Sequence, residues 1–536
     1  MTTPITRVPA RPGALMPFVN GFDRVSSSAW LYAVRMMQVP ESPAKFDRRR
    51  FMTDALTLGA MAHLLPSPTA ALALGAAGTI SVLDAIPPGL HAAIRSGKLR
   101  SDIAIYVDRA ARGAASRGLP LLFPTGTYPM TTWQPPAGLT VLTGGRGTVF
   151  RQSDTRGKPQ RFIEVLADGV RLWPGGSATI DGGMAPQGAN ATGFNSGIRV
   201  HAGRGVRIAR FECGDIYGHD LGGDVLETGC EAGGFLGRCT IGSIYGDNIY
   251  RNLLSVTGGA SGSVVAVVQQ SGCGLNVVDF EPDPTSAPVG DWTIGLVQGH
   301  RATVAGDAAA GINSVGIAAL DLDCRRSPSV PAFDQGGVSE RATPTLFQVG
   351  LRYRNIGNLR IGRARIANAP RGAILDIGEG ADDATSGMVS IGALVIVNCG
   401  AASTYEVVTQ KTRLLDIEEI DSTAKPSAGI ATFLGGFRST QIRVGRGRIG
   451  GTVVLASKGA FTANSLVVTR GGPAVFRNVE GRLEVTASQI TSTDAVFDNC
   501  SGPIEVADTT LQTPTLARGS AQPRIRRSQI NGRLVN

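Results

Sequence analysis

The sequence predicts an all-β fold, a single-stranded right-handed parallel β-helix with one N-terminal capping helix. Three observations carry that expectation. Short Val/Ile/Leu runs punctuated by Gly and Asn recur throughout, while long helical patterns are scarce. Strand-like units follow turn residues at intervals of about 20–30 residues, the mark of a solenoid whose coils bury their inner faces on one another. Glycine supplies 71 of the 536 residues, well above the usual share of about 7 %, and without the three-residue period of a collagen. At 42 % hydrophobic and 18 % charged, the chain is too apolar for disorder to be its main state.

The first element is an address. Asp47-Arg48-Arg49-Arg50-Phe51-Met52-Thr53 precedes an apolar stretch from Ala55 to Leu65, then Pro66, Pro68 and Ala70-Ala71-Leu72-Ala73. A basic region, a short apolar run and an A-x-A site make a secretory signal. The apolar run is shorter than the roughly 20 residues of a stable membrane span. Arg48-Arg49-Arg50-Phe51-Met52 resembles the twin-arginine motif, which implies a folded bacterial export substrate delivered to the periplasm or beyond. The motif starts deep in the chain, and Met36 or Met37 is a natural translation start. Residues 1–35 are then a gene-start artefact, 1–73 a leader, and 74–536 the β-helix domain. Seven cysteines, an odd number with no C-x-x-C spacing, point to buried free thiols. Cys213 with Cys230 or Cys239 is the one local disulfide considered.

Next comes the helix. Ser101-Asp102 can cap it, and Ile103, Val107, Ala110, Ala111, Ala114 and Ala115 form an apolar stripe ending at Arg117-Gly118. Leu121-Leu122-Phe123-Pro124-Thr125-Gly126-Thr127-Tyr128 then reads as a strand and a tight turn. A helix, "FPTGTY" and "PPAGLTVLTGGRGTVFRQ" together resemble the entry of pectate-lyase-superfamily proteins across residues 101–152. That resemblance implies the β-helix; it says little about chemistry, because one fold hosts many functions. Later units agree independently: Gly197-Ile198-Arg199-Val200, Gly205-Val206-Arg207-Ile208, Gly357 to Ile361, Thr440 to Val444, Asn478 to Val485 and Cys500 to Val506. Each is a strand of about three to five residues alternating apolar and polar positions. The rival, an array of β-sandwiches, calls for hairpin dipeptides at strand ends, and these are not systematic. Gly445-Arg446-Gly447-Arg448-Ile449-Gly450 spells a dinucleotide motif, but the strand-like Gly451 to Leu455 follows where a helix is required.

The densest polar chemistry lies in 211–285. Tyr245 to Asn252 and Asn276 to Asp283 include "YRNLLSVTGG" and "GLNVVDFEPD", which resemble bacterial pectate-lyase-like proteins with "R-x-G-(I/L)-S-V-x-G" and "G-I-D-x-E-P". Arg251, Asp279, Glu281 and Pro282 are the matching positions; Val278 and Leu253 depart from the pattern. Asp279 and Glu281, at i and i+2 of a strand, share one face with Cα atoms about 6.5–7 Å apart. Such a pair can act as general acid and base across a glycosidic bond. It can equally bind Ca²⁺ or neutralise a uronate while Arg251 or Tyr250 takes the α-proton in an elimination. It can also be a stacked polar ladder in which Glu281 pins Arg251. Asp224 and Asp247 are further acid candidates, and His219, beside Asp220 and Asp224, is a proton donor or a solvated loop residue. Polygalacturonases order N-T-D, D-D, G-H-G and R-I-K; here Gly218-His219-Asp220 precedes the other acids and no R-I-K follows, which argues against that branch.

The net charge of +10 divides into +4 in residues 1–73, +6 in 441–536 and zero between. No basic stripe with interleaved aromatics appears, so a nucleic-acid partner is not expected. The expected partner is a polysaccharide, acidic if the C-terminal arginines attract it. The expected function is an exported carbohydrate-active enzyme, with elimination on a uronate polymer slightly preferred. The alternatives are hydrolysis or epimerisation on the same fold, or a non-catalytic glycan-binding or envelope protein.

Overall fold

Alternating apolar and polar residues, broken at corners by Asn and Asp, wind this chain into stacked coils. The computed structural model describes residues 78–153, 161–183, 196–270, 275–306, 311–325, 349–376, 386–425, 429–436, 440–471 and 474–536, with the backbone of 334–335 and 338–339. All lie in the second of two compact units, His63–Asn536. The expected leader, 1–73 with Arg48-Arg49-Arg50, lies outside the described residues. No helix among the described residues is long and apolar enough to cross a membrane.

The middle coils each give a long strand to a 24-stranded sheet and a short strand to a 14-stranded sheet, and toward the C-terminus the long strand divides in two, as at Ala460–Asn464 and Leu466–Gly471. In the two large sheets strands pair in parallel with their counterparts one coil away, until Ser528–Ile530 meets Arg533–Val535 antiparallel at the end; a separate two-stranded antiparallel pair joins Asp334–Gln335 to Val338–Ser339. This is the parallel β-helix that the sequence predicts. Successive coils span 28 residues at Asp224–Asn252, 24 at Asn252–Asn276 and 21 at Ser488–Thr509. Inside, one row of the short sheet stacks Ile198, Leu226, Leu254, Val278, Ala302 and Leu351, all buried. No coil could bury that row alone, so stability comes from neighbour on neighbour. Toward the C-terminus a phenylalanine column continues the core: Phe433, Phe461, Phe476 and Phe497, with successive centroids 5.9, 5.8 and 5.6 Å apart.

The corners explain the Asn and Asp punctuation. Asp220, Asn248, Asn368 and Asn398 end long strands at φ of 52°, 53°, 56° and 53°, in the left-handed region that short polar side chains tolerate best after glycine. The long strands are longer than the sequence suggests. Arg207–Leu221 and Phe235–Ile249 each run 15 residues, because pairing continues around a bend. Gly214 makes one such bend: a Cβ there would stand 2.3 Å from the carbonyl oxygens of Trp173 and Gly176. Thr412–Ala424, Gln441–Gly450 and Val454–Ala456 confirm that the G-x-G-x-x-G run lies within strands.

At the N-terminal end the predicted helix forms over Ala104–Ser116, with the Ala104 N–H donating to Asp102 Oδ1 at 2.8 Å. Val107, Ala110, Ala111 and Ala114 are buried against the first coil. A second helix, Pro88–Arg95, was not anticipated. It starts on a proline pair and packs Leu90, Ala93 and Ile94 on the core, but eight residues are too few for a helical period to stand out in the sequence. Cys213, Cys230, Cys239, Cys324, Cys399 and Cys500 are free thiols, so the local disulfide considered above does not form. Burial pushes the Cys239 and Cys399 thiols up to about 12, away from thiolate chemistry. Cys273 lies outside the described residues.

Candidate functional site

The short sheet turns its apolar rows inward and a polar row outward. In register along that outer row stand Glu164, Arg199, Glu227, Ser255, Asp279, Thr303 and Arg352. Arg199 reaches Glu227 at 3.1 Å and Glu164 at 3.6 Å, so the N-terminal part of the row is a closed ion-pair network. The centre differs. Asp279 sits mid-strand in Val278–Phe280 and is only 2 % exposed. Glu281 follows two residues on, exposed, its N–H bonded to the Val256 carbonyl at 3.0 Å. The strand ends at Phe280, so Glu281 lies just beyond it, and its charge acts on Asp279.

Asn252 organises the acids. It is fully buried in the corner before Leu254–Val256. Its backbone N–H donates to Asp224 Oδ1 and its Nδ2 donates to Asp279 Oδ2, each at 3.0 Å, while its own Oδ1 accepts the Asn276 N–H at 3.0 Å. Asp224, 1 % exposed, faces Arg251 through Oδ2 at 3.6 Å from Nη1. Asp279 Oδ1 is buried without a hydrogen-bond partner among the described residues.

Electrostatics follow from this packing. Burial, with a smaller push from Glu227, raises Asp224 to about 6 despite the Arg251 charge and the hydrogen bonds from Asn252. Asp279 is driven well above the carboxylate range, by burial first and then by the Glu281 charge, with Arg251 and Arg352 pulling the other way. Burial lowers Arg251, but Asp224, Asp279, Glu227 and Glu281 together outweigh it and hold the guanidinium charged. A guanidinium so held is a poor base. Calcium, considered from the sequence, takes about six to eight oxygen ligands. A guanidinium already beside Asp224, and an Asp279 that burial biases toward its neutral form, do not fit that ion.

The seven residues singled out in the sequence do not meet at one point. Arg251, Asp224, Asp279 and Glu281 gather on or beside the short sheet. Tyr250 is largely buried in the corner, its N–H bonded to the Leu221 carbonyl at 2.9 Å. His219 and Asp247 belong to the long sheet, in register with each other and with Asp181 and Arg151. His219 lies in a strand rather than a loop, its side chain 38 % exposed, and its pKa is raised by the Asp220 hydrogen bond at 3.3 Å with help from Asp181. Beside it Tyr217 and Tyr245 stack at 4.8 Å, and Arg146 covers the Tyr217 ring at 4.4 Å. One face of Tyr245 and both faces of Tyr217 are thus used internally, which leaves this pair a poor stacking platform. Sequence reasoning missed Asn252, Asp181 and Arg352. Only the register of the coils brings them to the acids and to His219.

Comparison of the chain with family models, with curated proteins and with solved structures finds no match.

Proposed function

We propose that this protein is a carbohydrate-active enzyme that cleaves glycosidic bonds in a polysaccharide laid along the outer face of the short sheet, and that it does so by hydrolysis. The observation that carries the reading is Asp279, a buried carboxyl whose pKa burial pushes up, beside an exposed Glu281 and the Asp224–Arg251 pair. A protonated carboxyl at neutral pH is what a general acid needs to protonate a leaving glycosidic oxygen. Glu281 is the partner carboxylate, able to activate water or to attack, two residues on and just past the strand's end. Hydrolysis is favoured over the elimination preferred from sequence, because Arg251 is held too firmly charged to remove a proton.

The resemblance of residues 101–152 and of the Arg251–Pro282 segment to pectate-lyase-superfamily proteins supports the same substrate class, and the leader sequence supports export. The test is to incubate the purified protein with a panel of neutral and acidic polysaccharides and to measure both reducing ends and the ultraviolet absorbance of unsaturated uronates. New reducing ends without the absorbance support hydrolysis. Absorbance selects elimination, and saturable binding with neither signal selects a glycan-binding protein.

A further inference from the structure

A second group of side chains, on the long sheet and independent of the acid pair's role, has the donors and spacing of a metal site. Asp181 ends the strand Arg171–Asp181, while His219 and Asp220 close the strand Arg207–Leu221 one coil on. We propose that Asp181, His219 and Asp220 bind a divalent transition-metal ion of the Zn²⁺ or Mn²⁺ class.

The argument is geometric. Such an ion holds nitrogen and oxygen donors at about 2.0–2.2 Å, so adjacent donors around it stand roughly 3.0–3.5 Å apart. His219 Nδ1 lies 3.3 Å from Asp220 Oδ2 and 3.8 Å from Asp181 Oδ1. One ligand atom from each residue falls within 4.8 Å of the other two. A contraction of a few tenths of an ångström at the 38 %-exposed imidazole brings the closer contacts into range. The donor set of one imidazole and two carboxylates suits zinc or manganese, whereas calcium and magnesium prefer oxygen alone.

The carboxylates are also held from behind, as ligands usually are. Arg151 Nε donates to Asp181 Oδ2 at 2.6 Å, and Asn248 Nδ2 donates to Asp220 Oδ1 at 2.6 Å. Both contacts fall on the oxygens turned away from the imidazole. Asp247 stands in register with His219 on the next coil. The competing arrangement is a protonated His219 that pairs with both acids and takes no metal. Bound metal would lock neighbouring coils together at the corner that leads to the acid pair.

The experiment strips the full-length protein with chelator and titrates ZnCl₂ and, separately, MnCl₂ by calorimetry. The expected result is one saturable ion per chain, with affinity weakened at least tenfold in His219→Gln and in Asp220→Asn and unchanged in His201→Gln. Because His219 is near the surface, its replacement should leave the far-ultraviolet circular dichroism intact. Co²⁺ loading of the unmodified protein gives a second readout, since imidazole ligation should produce visible d–d absorption. Absence of saturable uptake overturns the proposal, as does uptake that survives both substitutions or a Co²⁺ spectrum without imidazole ligation.

Discussion

Asp224 offers the most direct weighing of what burial does to this face. Its pKa stands at about 6 against an ordinary 3.8, a difference of about 2 and therefore about 3 kcal/mol at about 1.4 kcal/mol for each. The folded chain holds this proton more tightly than the unfolded chain does. The group's favourable contribution is therefore fully present below about pH 3.8 and is lost as pH rises through about 6. Asp224→Asn keeps an oxygen for the Asn252 N–H and removes the titration. With an unfolding entropy of about 2.1 cal/mol/K per residue, a unit of this length changes its midpoint by about 1 °C per kcal/mol. Thermal melts followed by circular dichroism between about pH 4 and about pH 7 should thus show the parent protein losing about 3 °C more than the variant. The comparison of slopes cancels the separate cost of leaving Arg251 with fewer negative neighbours. Parallel pH profiles for the two proteins would refute the claim that Asp224 is buried against its charge.

Asp279→Asn should lower any polysaccharide cleavage by a factor on the order of 10²–10⁴ with the fold retained, measured as initial rates of reducing-end release; undiminished activity would move the acid role elsewhere. Phe476→Ala removes the middle of the phenylalanine column and should cost about 3–5 kcal/mol. Because coils rely on their neighbours, hydrogen exchange should rise in 454–536 and stay unchanged in the first coils. Gly214→Val should lower the thermal midpoint, since its Cβ has only 2.3 Å to the nearest carbonyl oxygens and overpacking costs about 1–3 kcal/mol or more. Changing Arg48, Arg49 and Arg50 together to lysine should block translocation in a bacterial host; an unaltered periplasmic yield would remove the twin-arginine reading.

The fold was legible because a solenoid repeats its instructions. Coil after coil carries the period-two alternation of Leu226-Glu227-Thr228 or Val278-Asp279-Phe280, and most left-handed corners an Asn, Asp or Gly, with Ser465, Ala487 and Arg527 among the exceptions. The glycine of "FPTGTY" shows the limit of local reading. A Cβ on Gly126 would sit 2.8 Å from Ile94 Cγ2, so the residue answers to the helix Pro88–Arg95, which periodicity did not reveal. The site divides the same way. Asp279 and Glu281 act on each other from two residues apart, a closeness that the sequence states by itself. Asn252 meets Asp224 and Asp279 only through coil lengths of 28 and 24 residues, and those lengths vary from coil to coil without a local mark. His219 and Asp279 likewise look adjacent in composition, yet a corner puts them on different sheets.

The outer row of the short sheet has a metric of its own. Each coil advances it by one strand spacing, about 4.8 Å, so the row behaves as a ruler graduated in coils. Thr303 and Arg352 are the first and second marks beyond Asp279. Gaining or losing a whole coil on that side would lengthen or shorten the track without touching the Asn252 hydrogen bonds that hold the acids. An insertion at a corner, by contrast, would swell a loop and leave every mark in place. Reach along a ligand and chemistry upon it are therefore separately adjustable in this architecture, the first by counting coils and the second by exchanging side chains within one of them.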